Sequence, residues 1–117
     1  MGRLSYDGHV AVDIDDRALA HLQIVIADKL RRREPFAFSW RDDPSTGDGR
    51  TTIWINQSSS IVFKYHGSRT PRINRDWLEV LAIAANAVSG LRLVPEPAPG
   101  PSVERDDLND EQSIAVD

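Results

Sequence analysis

The chain has 117 residues and a net charge of −4, which is room for one domain with a single core and too little for two. Hydrophobic residues at 40% and charged residues at 27% exclude global disorder and a fibrous class. With no cysteine there is no disulfide framework and no thiolate metal site, zinc would have to rely on His9, His21, His66 and carboxylates, and no run reaches the roughly 18 apolar residues of a membrane span.

The amino end, MGRLSYDGHV, has no apolar run of signal-peptide length, so a cytoplasmic, metal-free protein with no membrane partner is expected. Leu4 and Tyr6, then Val10, Val12 and Ile14, alternate with polar or small residues on either side of Asp7-Gly8, a pair suited to the positive φ of a hairpin turn. Strands over about 3–6 and 9–14 follow from that pattern. Asp15 or Asp16 offers an N-cap oxygen, and Leu19, Leu22, Ile26 and Lys29/Leu30 recur at helical spacing, predicting a helix over about 16–32. Its last turn is basic, Lys29 to Arg33, and Pro35 ends it.

Three runs of period two come next: Phe36/Phe38/Trp40, Ile53/Ile55 and Ile61/Phe63/Tyr65. Joined by the Asp42 to Arg50 loop and by Asn56-Gln57-Ser58-Ser59, they predict an antiparallel meander. Asn74 caps a second predicted helix with Trp77, Leu78, Leu81, Ala84, Ala85 and Val88 on one side, and Gly90 stands where a left-handed C-cap is wanted. Leu91 to Val94 reads as a last strand. From residue 96 the chain is rich in proline and acid, a composition that predicts disorder. The expected organisation is a single α+β domain over 1–95, ordered ββαβββαβ, with a largely antiparallel sheet and two helices packed on one face, followed by a disordered acidic tail over 96–117. Charge divides the same way: residues 1–95 hold 13 Lys+Arg against 11 Asp+Glu, and residues 96–117 hold Arg105 against seven acids.

The Asp42 to Arg50 loop, RDDPSTGDGR with its leading arginine, invites comparison with ion-binding loops. Asp42, Asp43 and Asp48 lack the alternate spacing and closing glutamate of an EF-hand, and Gly49 is followed by Arg50-Thr51 rather than by the lysine and hydroxyl of a P-loop. A surface turn is the reading, with Asp43-Pro44 starting it and Gly47 to Gly49 supplying positive φ.

Strand parity sends Ser39, Arg41, Thr52, Trp54, Asn56, Val62, Lys64 and His66 to the face opposite the helices. A tryptophan flanked there by Arg41, Lys64 and His66 suits base stacking with cations on phosphates; it equally suits burial in a homodimer or under the last strand. A second surface gathers Lys29 to Arg33 with Arg69, Arg72 and Arg75, read either as a solvated helix end or as a phosphate contact. His21, on the flank of the first helix, reads as a hydrogen-bonded boundary histidine rather than a base. No constellation for acid–base catalysis stands out.

The runs IDDRALAHLQIVIADKLRRREPFAFSWRDDPSTGDGRTTIWI and FKYHGSRTPRINRDWLEVLAIAANAVSGLRLVPEP resemble a family of small actinobacterial proteins of unknown function, over about residues 1–97. Its members are often labelled automatically as ATP-dependent DNA ligase. The hexapeptide Lys64-Tyr65-His66-Gly67-Ser68-Arg69 is similar to the K-x-D-G-x-R motif of nucleotidyltransferase ligases, whose lysine attacks the α-phosphate of ATP. Lys64, Gly67 and Arg69 match, and His66 replaces the aspartate. Only 48 residues follow Arg69, and Lys29 and Lys64 are the only lysines, so the clamps that stabilise a phosphoryl transition state are missing.

The sequence therefore predicts a non-catalytic domain without cofactor, binding a nucleic acid or protein partner through Arg41, Trp54, Lys64, His66, Arg69 and Arg72. The alternatives are a ligase-like fragment or accessory using Lys64 with ATP and magnesium or binding nicked DNA, and a structural homodimer packed through Trp54.

Overall fold

In a computed structural model of the chain, residues 1–47 and 49–98 are described. They form an α+β fold of six strands and two helices: β1 Gly2–Tyr6, β2 Val10–Ile14, α1 Asp16–Arg31, β3 Phe36–Arg41, β4 Arg50–Ile55, β5 Ile61–Lys64, α2 Arg75–Asn86 and β6 Leu91–Arg92. The order matches the pattern read from the sequence. Asp7 and Gly8 both take positive φ in the first hairpin, at 52° and 74°, which is why a short polar residue and a glycine stand there.

The strands make two three-stranded sheets, β2-β1-β5 and β4-β3-β6, antiparallel except for the parallel β3/β6 pair. This corrects the expected meander, because β5 leaves β4 and pairs with β1, Leu4 against Phe63 and Tyr6 against Ile61. The cause is visible at the hairpin turn. Asp7 donates its N–H to Ser60 O at 2.7 Å and accepts the Ser60 N–H on its carboxylate at 2.7 Å, so the turn preceding β5 is fastened to the β1 end rather than folded back on β4.

Asp15 caps α1, its carboxylate accepting from the N–H groups of Arg17 and Ala18. The helix ends in a Schellman motif: Glu34 N–H reaches Lys29 O, Arg33 N–H reaches Leu30 O, and Arg33 sits at φ 57°. Asn74 caps α2 through the N–H groups of Asp76 and Trp77. That helix stops at Asn86, so Val88, expected in the packed stripe, lies beyond it and is fully exposed. Gly90 comes after the helix end rather than at its cap. It holds φ 87° where an added Cβ would lie 2.8 Å from Ala37 O, so β6 passes too close to β3 for any side chain at that point.

Helix α1 packs on β1 and on α2, and α2 packs on β3 and β6. Leu4, Leu19, Leu22, Ile26, Phe36, Phe38, Ile53, Ile55, Leu81 and Leu91 fill the single core between them. Inward parity holds in β3 and β4, leaving Arg41, Thr52 and Trp54 on the outside. Lys29 departs from the expected solvated basic run: it is buried, with Nζ on Glu34 at 3.0 Å and on Asn86 Oδ1 at 2.7 Å, so its charge is neutralised inside the fold. Among the described residues no helix is long and apolar enough to cross a membrane.

Glu96, assigned to the tail by composition, is bound to the domain through Arg17 at 2.9 and 2.7 Å and Asn74 Nδ2 at 2.9 Å. The rest of the predicted disordered tail, from residue 99, lies outside the described residues.

Candidate functional site

The β3/β4 register sets Ala37 opposite Trp54, Ser39 opposite Thr52 and Arg41 opposite Arg50, and the parallel pair adds Arg92 beside Ser39. Directly paired residues project to the same side. The outer face of the β4-β3-β6 sheet therefore carries one tryptophan and three arginines. Trp54 is 56% exposed, an unusual state for an indole. Ser39, also on this face, is nearly buried because it is a short side chain on the central strand, its hydroxyl within 2.7 Å of the Thr52 hydroxyl.

Like charges directly across a strand pair repel, yet Arg41 and Arg50 face each other at the end of this sheet. Arg50 and Arg92 have no ion-pair or hydrogen-bond partner among the described residues. Sequence reasoning reached Arg41 and Trp54 but not these two. Arg50 shares the parity of Thr52 and Trp54 and was open to the same argument, whereas Arg92 depends on a pairing between strands some fifty residues apart.

The structure does not bring the remaining predicted residues onto that face. Lys64 ends β5 in the other sheet, opposite Arg3, which is itself ion-paired to Asp13 at 2.8 Å. His66, Arg69 and Arg72 lie in the loop between β5 and α2. Asp16 fastens the start of this loop by accepting the N–H groups of His66 at 3.1 Å and Gly67 at 2.9 Å. Those two bonds, Gly67 first, hold its carboxyl below the usual carboxylate range. The Asp42 to Arg50 loop is a turn built on itself: Asp43 caps a short 3₁₀ turn at Pro44–Thr46, and Asp42 accepts the Thr51 hydroxyl at 2.8 Å. Gly47 takes positive φ; Asp48 lies outside the described residues. Among the described residues no group of three potential metal ligands converges.

His21 lies in the interior, not at the boundary. Its Nε2 accepts the Asn74 N–H at 2.8 Å, which requires Nδ1 to carry the proton and donate to Arg17 O at 2.7 Å. The ring stacks tilted against Trp77 at 4.4 Å, and burial pushes its pKa down. With both nitrogens engaged and no exposure, it holds α1 to the start of α2 and has no path to a substrate.

The model of DUF7882, a domain of unknown function, matches residues 1–96, and the chain belongs to that family. No curated protein and no solved structure matches it.

Proposed function

We propose that this DUF7882 domain is a non-catalytic binding module that holds single-stranded nucleic acid on the outer face of the β4-β3-β6 sheet. The observation that carries the reading is the open indole of Trp54 on the same face as Arg41, Arg50 and Arg92. Bases stack on an exposed aromatic ring whatever their sequence, and arginines on the same face meet the phosphates. From the strand spacings, Arg50 stands about 13 Å along β4 from Trp54 and β6 lies about 10 Å across the sheet; the register puts all three arginines to one side of the ring, so a strand stacked on Trp54 would run towards them.

The ligase-like reading is the weaker one on geometry. Lys64 belongs to the β2-β1-β5 sheet and does not line the cavity that Gly67 and Arg69 help to form, so the matched members of the hexapeptide do not converge on one phosphate. Incubation with labelled ATP and magnesium is expected to leave Lys64 unlabelled.

The direct test compares Arg50→Ala with Arg92→Ala on a labelled oligothymidylate, using Arg31→Ala on α1 as the control. Loss in the first two and none in the control is the expected pattern; equal affinity in all three overturns the reading. Light scattering on the same samples separates it from a homodimer packed through Trp54, in which Trp54→Ala would halve the mass.

A further inference from the structure

A second surface, distinct from the sheet face, lies between α1 and the loop joining β5 to α2. A cavity of about 420 Å³ opens there, within the range of roughly 300–1,000 Å³ typical of small-molecule sites. Its apolar wall is Ala20, Ile24, Pro71 and Ile73, and its polar wall includes Gln23, Tyr65, Ser68 and Arg69.

Three features favour an anionic occupant. Among the described residues Arg69 is the one ionic side chain lining the cavity, and it has no hydrogen bond or ion pair there. Among the described residues no carboxylate lines the cavity, and the acid held against this loop, Asp16, has its oxygens on the backbone N–H groups of His66 and Gly67. The Tyr65 hydroxyl donates to Gln23 Oε1 at 2.6 Å, which leaves the Gln23 amide hydrogens available to an acceptor. The apolar wall asks for more than an inorganic ion: Ile24 is 39% exposed, unlike the other large apolar side chains of α1, and covering it removes apolar surface from water.

The loop is also preorganised. Asp16 fixes its start, and Asn74, bound to His21, fixes its end, so a ligand need not order it on entry.

We propose that this cavity binds a small aliphatic carboxylate, the carboxylate on Arg69 and the Gln23 amide and the chain over Ile24 and Ile73. Calorimetric titration of the full chain with octanoate and with octanol tests it. Octanoate is expected to saturate one site per chain and octanol to bind at least about tenfold more weakly. Arg69→Gln is expected to bring octanoate down to the level of octanol, and Ile24→Trp to block both. Ile24 and Arg69 are both open to solvent, so thermal unfolding should be unchanged in each variant. Absence of saturation by octanoate, equal affinity for octanol, or octanoate binding indifferent to Arg69→Gln would each overturn the assignment; the first and second need no variant at all.

Discussion

Asn74 is held from three directions: its N–H donates to His21, its side-chain amide donates to Glu96, and its side-chain oxygen caps α2. This cluster makes stability depend on acid in two stages. Burial lowers the folded pKa of His21 below its ordinary 6.5, so the unfolded chain takes up the proton first and stability falls as pH drops through about 6.5. Arg17, and then Asn74, hold Glu96 at about 2 against an ordinary 4.5; its contribution is complete above 4.5 and is lost as pH falls towards 2. Because the Glu96 side chain is one-third exposed, that contribution is on the order of 1 kcal/mol after screening. Urea midpoints measured from neutral to acid pH should show both declines, and Glu96→Gln should remove only the lower one. At this scale the sequence revealed the caps, since Asp15 and Asn74 act on neighbours two and three residues away. The partners of Lys29 and Glu96 were not legible, because Asn86 and Arg17 come from distant parts of the chain.

Helix α1 closes with an arginine in a conformation that disfavours any Cβ. Left-handed φ costs a non-glycine residue about 1 kcal/mol or more, and the Schellman bonds around Arg33 use backbone atoms alone. Arg33→Gly should therefore raise stability by about 0.5–1 kcal/mol, read as a higher urea midpoint with an unchanged slope; a lower midpoint would mean that the guanidinium makes a contact worth more than the strain. Element type and order were legible throughout because period and capping are local signals. Partnership was not. β5 has the same alternation whether it continues a meander or joins β1, and the choice rests on Asp7 meeting Ser60 across more than fifty residues. The candidate face inherits this: parity alone exposed Trp54, but assigning Lys64 to the same face required the pairing that does not form.

Across the whole molecule, the acids after residue 95 oppose the mildly basic domain that precedes them. Ending the chain at residue 98 keeps Glu96 and its bonds, so it should leave thermal stability unchanged while strengthening nucleic-acid binding at low salt. Ending it at residue 94 removes Glu96 and should destabilise the fold by on the order of 1 kcal/mol. The central claim is that the indole of Trp54 receives a base. Titrating the full chain with oligothymidylate while following tryptophan fluorescence tests it most directly, since Trp77 is buried and Trp40 half-buried. Saturable quenching is predicted, with a loss of about 1–3 kcal/mol and of the quenching itself in Trp54→Ala, and a salt slope near −2 for three arginine–phosphate contacts. Affinity unchanged by Trp54→Ala and flat against salt would contradict it.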